Sequence, residues 1–145
     1  MREILFRGFA PDENGKDKVL VNGKWIKGKW VVGNLFVDDK GENYEILIGY
    51  TNYRISYKVV PETVGQDTGL TDKNGKKIFE GYILESHYDE KYPEDVCYEL
   101  VLWDENGWCI KEGTHEPDHL TEETILKYSV VAGNIFENPE LLEGE

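Results

Sequence analysis

The stretch TGLTDKNGKKIFEGYI, residues 68–83, decides how the chain is read, because its Asp, Asn, three lysines and three glycines suit either a ligand loop or a turn. A phosphate loop needs G-x-x-x-x-G-K followed by a hydroxyl residue. Here the gap from Gly69 to Gly75 is wrong, and Lys77 follows Lys76. A calcium loop counted from Asp72 places Lys76 and Lys77 at its fifth and sixth positions and Ile83 at its twelfth, where oxygen ligands, a glycine and a glutamate belong. A turn remains. D-x-N-G recurs as DENGK at 12–16 and DENGW at 104–108, and a further Asn-Gly stands at 22–23. Asn and Gly tolerate positive φ and Asp bonds its own backbone two residues on, so this pattern between apolar runs predicts hairpins.

The flanking runs agree with a strand reading. VLVNGKWIKGKWVVGNLFV (19–37), YEILIGY (44–50), YRISYKVV (53–60), KKIFEGYILES (76–86) and DVCYELVLW (95–103) are rich in β-branched and aromatic residues. In the last, Val96, Tyr98, Leu100 and Leu102 share one face and Glu99 lies on the other with Val101. Two short helices are expected, one from Thr121 in TEETILKY and one after Asn138-Pro139 in ENPELLEGE. Val32–Phe36 and Ala132–Phe136 echo each other as VGNLF and AGNIF, and read as two similar corners where a turn enters a strand. The expected fold is mainly β and hairpin-rich, with a β lobe over 1–60 and an acidic lobe over 61–145. A small SH3-like barrel is placed at 68–113.

Composition bounds the rest. With 145 residues, 39% apolar and 12% aromatic, the chain can fill one good core. The opening MREILFRGFA lacks the apolar run of a secretory signal and no stretch approaches the ~20 apolar residues of a membrane span, so a cytoplasmic protein is expected. The net charge of −13 is uneven: residues 1–60 hold ten Lys or Arg against eight Asp or Glu, and residues 61–145 hold six against twenty-one. Such acidity repels a phosphate backbone, and direct nucleic-acid binding is disfavoured.

The candidate chemical sites argue themselves away. Cys97 and Cys109 are separated by eleven residues, not the two to four of a zinc knuckle, and His87, His115 and His119 do not complete a ligand set. A three-residue loop at 104–108 would pair Cys109 with Trp103 and bring Cys97 opposite His115, still short of four ligands. In a reducing compartment the two thiols are expected free. No G-x-S-x-G occurs among the three serines, and carboxylates such as Asp89, Glu90, Glu94, Asp95, Asp104 and Glu105 read as solvated surface. No catalytic residue, metal or cofactor is expected. The four tryptophans are the remaining candidates: Trp25, Trp30, Trp103 and Trp108 cluster around Asn-Gly turns. Each by itself reads as core filler, yet at least one is expected at an interface with a protein partner or a second copy.

Three blocks carry a resemblance. REILFRGF near the N-terminus, VVPETVGQDTGLTDKNGKKIFEGYI in the middle and VVAGNIFENPELL near the C-terminus resemble, in this order, the YopX family of phage and prophage proteins. The family usually reads G-D-I where this chain has Gly81-Tyr82-Ile83, so a chemical role for that aspartate does not carry over. The resemblance implies a small phage or prophage accessory protein in a bacterial cytoplasm, without an established activity. A non-catalytic binding module is the expected function. The alternatives are an acidic mimic of nucleic acid that occupies a host DNA-binding protein, and a small hydrolase.

Overall fold

A computed structural model describes residues 5–49, 53–87, 94, 96–105, 107–112, 117–120 and 127–143. The protein is mainly β, built of antiparallel strands, and divides into two units, Met1–Asp67 and Thr68–Glu145.

In the first unit, β1 (Phe6–Pro11), β2 (Asp17–Val21), β3 (Lys24–Val37), β4 (Tyr44–Gly49) and β5 (Arg54–Thr71) surround an apolar interior. The pairings β1–β3, β3–β4, β4–β5 and β5–β1 close a four-strand ring. Ala10, Val31, Ile46 and Val59 are buried together inside it, with Leu35, Ile48 and Tyr57 packed against them. Closure depends on a break in β5. Between the pairs Phe9–Val60 and Arg7–Gly65 the register slips, so the segment Pro61–Val64 bulges out of the ladder. Pro61 has no N–H to lose there, and Thr63 repairs the gap: its buried hydroxyl donates to the Val60 carbonyl at 2.6 Å and accepts the Phe9 N–H at 2.9 Å.

The first D-x-N-G segment corrects the hairpin expectation. Asp12 Oδ1 accepts the Asn14 N–H at 2.9 Å, as an Asx turn should, yet β1 and β2 do not pair with each other. Both pair with β3, and both reach Gly28, which faces Pro11 of β1 and Asp17 of β2. Residues 12–16 therefore carry the chain past β3 at Gly28. The approach is so close that a Cβ on Gly15 would overlap the Gly28 backbone. An Asx turn fixes local geometry only; which strand the chain then joins is decided by partners far along the sequence. The Asn22-Gly23 hairpin forms as expected, with positive φ at both residues, joining β2 to β3.

In the second unit, the 72–76 turn is a hairpin between the end of β5 and β6 (Lys77–Phe79). Asp72, 2% exposed, accepts the N–H groups of Asn74 and Lys76 through one oxygen. The expected single strand over 76–86 is broken at Glu80-Gly81, where Gly81 takes φ +92°, and resumes as β7 (Tyr82–Ser86). Tyr82 is buried against Phe79, ring centroids 5.7 Å apart, so the position that departs from the family pattern belongs to the core at the entrance to a strand.

The remaining strands, β8 (Cys97–Asp104), β9 (Gly107–Lys111), β10 (Asp118–His119) and β11 (Ser129–Asn134), form with β7 a sheet of order β10-β9-β8-β7-β11. That order is open among the described residues, so the SH3-like barrel expected at 68–113 is not confirmed. Ring closure belongs to the first unit. On β8 the more deeply buried face is that of Glu99 and Val101, because Glu99 accepts the Ser86 hydroxyl at 2.7 Å and Ser86 also bonds Ser129 across β11. Alternation gave the two faces but not which one is covered.

The helix after Asn138 is a single 3-10 turn, Pro139–Leu142, with Pro at its start. The helix expected from Thr121 falls on residues outside those described, except for 127–128, which are helical. The two echoing segments differ: Gly33 lies inside β3, whereas Asn134 ends β11 and accepts the N–H groups of Phe136 and Glu137 in a turn.

Candidate interaction surface

The tryptophans divide by exposure: Trp25 and Trp103 are exposed, Trp30 and Trp108 half-buried. Trp30 is half-buried: its ring meets Phe9 edge-on at 5.1 Å and carries the Arg7 guanidinium 3.6 Å above its centre. This is the packing role expected of a Trp in a small β core. Trp25, on the same strand five residues earlier, is 57% exposed and sits opposite Leu20 in the β2–β3 hairpin. The core-filling reading fails for it because the covered face of this hairpin is the opposite one, that of Val19 and Val21.

Trp103 and Trp108 lie together at the end of β8–β9. The loop there is one residue shorter than expected: Asp104 pairs with Gly107, Trp103 with Trp108 and Leu102 with Cys109. Gly107, where β9 begins, takes φ +104°, which only glycine adopts readily. The correction moves every cross-strand neighbour by one position. It makes the tryptophans direct partners, rings edge-on at 4.8 Å, with Trp103 59% exposed and Trp108 half-buried beneath it. An edge-to-face pair of this kind is worth about 0.5–1.5 kcal/mol beyond the area it buries. It holds the outer ring rigid, as an interface anchor requires. Glu105 in the loop and Asp118 on β10 are exposed nearby, Asp118 sharing the face of Ile110 and Trp108.

The other chemical candidates stay apart. Cys97 pairs with Ser86 on β7 and Cys109 with Leu102 on β8, and neither forms a disulfide. Burial, then a hydrogen bond to the Asp104 carboxylate, pushes the Cys109 thiol up to about 11, so it stays protonated and unreactive. His87 lies 3.5 Å from Glu85, which also accepts the Tyr98 hydroxyl at 3.2 Å. His119 is exposed opposite Cys109, while His115 lies outside the described residues. Among the described residues no group of three His, Cys, Asp or Glu side chains is arranged to hold a metal ion. No helix among them is long and apolar enough to cross a membrane.

The family model described as YopX protein matches residues 6–143. The chain belongs to the YopX family. Its fold is shared with a solved structure, protein EF1440 from Enterococcus faecalis, at a TM-score of 0.57 and 21% identity over 98% of this chain and 99% of that one. At that identity the likeness speaks for the YopX fold alone. No curated protein matches the chain.

Proposed function

We propose that this YopX-family chain is a non-catalytic binding module of phage or prophage origin that works in the bacterial cytoplasm by holding protein partners, first among them a second copy of itself. The observation that carries the reading is the Trp103–Trp108 pair: a large apolar ring, more than half exposed and braced by its neighbour at the end of a hairpin. Exposed, rigid aromatics of this kind dominate binding energy at protein interfaces. Light scattering of the purified protein tests it. Assemblies at micromolar concentration that are lost in Trp103→Ala are the expected result, and a wild-type monomer would sink the reading.

A second reading is supported by charge. Residues 68–145 hold nineteen Asp or Glu against six Lys or Arg, a density suited to an acidic mimic of nucleic acid that captures a host DNA-binding protein. Capture from a host lysate that collapses between low and high salt favours the mimic; capture indifferent to salt favours the aromatic interface.

A further inference from the structure

The exposed face of the β2–β3 hairpin is built unfavourably for a surface that meets only water. Lys18 lies directly opposite Lys27, and in the next row Leu20 lies opposite the exposed Trp25. Like charges facing each other across a strand pair destabilise it. Neither lysine makes an ion pair among the described residues. An apolar ring beside two uncompensated cations calls for an occupant that is apolar and anionic at once. The β8–β10 region has that complementary make-up: Trp103 is exposed, Glu105 is exposed in the loop that follows it, and Asp118 is exposed on β10, on the face of Ile110 and Trp108.

We infer that the Lys18–Lys27–Trp25 face of one copy receives the Trp103 hairpin end of a second copy, so that copies join head to tail. The inference rests on the self-association proposed above and names the two surfaces that perform it. Each copy carries a net charge of −13, yet at physiological salt the screening length is about 8 Å, so the charges at the contact outweigh the overall repulsion. Charge complementarity also fixes which surfaces meet and suppresses like-with-like contacts. Two different surfaces meet in the contact, so copies join either reciprocally about a two-fold axis or successively in a ring or filament.

Two charge-reversed variants test it, since every altered side chain is exposed: Lys18→Glu with Lys27→Glu, and Glu105→Lys with Asp118→Lys. Light scattering at physiological salt reads the outcome. Wild type is expected as a dimer or a larger species, and each double variant alone as a monomer. An equimolar mixture of the two is expected to assemble again, because one contact is intact and the other brings together reversed charges that are complementary once more. A lysine variant that assembles like wild type, or a mixture that stays monomeric, overturns the inference. If wild type assembles and Trp103→Ala does not, while the lysine variant does, the self-association reading survives and the head-to-tail contact falls. A wild-type monomer takes both down.

Discussion

The carboxylate of Asp72 accepts the Val131 N–H at 2.8 Å, fifty-nine residues further along the chain. The same side chain closes its own turn through Asn74 and Lys76, and the Lys73 N–H bonds the Ser129 carbonyl at 3.0 Å. The stretch that looked like a ligand loop thus ties the β5–β6 turn to β11.

Asp72→Ala leaves three N–H groups without their acceptor in a site that is 2% exposed. A loss of about 2–4 kcal/mol is expected, by the cost of stranding buried donors that had a charged partner. Urea unfolding followed by far-UV circular dichroism checks it, through a lowered midpoint at unchanged slope. An unshifted midpoint would show that water takes over all three bonds.

Thr63→Val keeps the shape of the bulge and removes the oxygen that accepts the Phe9 N–H. The expected cost is about 1–3 kcal/mol. Amide exchange gives the sharper reading: Phe9 loses protection in the Val variant and keeps it in Thr63→Ser.

Glycines 15 and 23 separate crowding from backbone strain. Ala at 15 would meet the Gly28 backbone, whereas Ala at 23 meets open space but must hold φ +80°. Gly23→Ala is expected to cost about 1 kcal/mol, from the left-handed conformation alone. Gly15→Ala is expected to cost more, because backbone has to move. Thermal unfolding of the two variants ranks them, and the reverse order would refute the crossing at Gly28 as the reason for Gly15.

The Cys109 thiol is held from an ordinary value near 9 up to about 11 by burial and by Asp104. The folded state therefore keeps its proton where the unfolded chain loses it. Its contribution to stability is complete below pH 9 and is lost as pH rises from 9 towards 11. Labelling with a thiol reagent at pH 8 should mark the half-buried Cys97 first and reach Cys109 only on unfolding. Equal rates would contradict the burial of Cys109.

What was legible in the chain was the local chemistry. The 72–76 turn, the Asn22-Gly23 hairpin and the strand content follow from residues that are neighbours in sequence. DENGK at 12–16 has the same Asx turn as DKNGK at 72–76 yet joins strands that do not pair, because the choice of β3 as common partner is made by residues 24–28 and 28–33. The loop at 104–108 misleads by one residue, since D-x-N-G permits both two- and three-residue connections and the register of β8 on β9 is set along the whole pair. The exposure of Trp25 and Trp103 had no local signal. It depends on which face of the β2–β3 hairpin is covered and on where the covering of β8 stops after Val101, which no pattern of alternation encodes.

The ring of the first unit gives its assembly an order in time. Phe6 pairs with Gln66, so the strand made early in synthesis waits for the last residues of its unit before the circle can shut. On a ribosome adding residues one by one, β1 and β4 stand with open edges until β5 and its bulge at Pro61–Val64 have emerged, and long-range closure of this kind is slow. The nascent chain passes through an interval in which it is most exposed to mispairing with its neighbours, and that interval ends when Thr63 takes hold of Phe9.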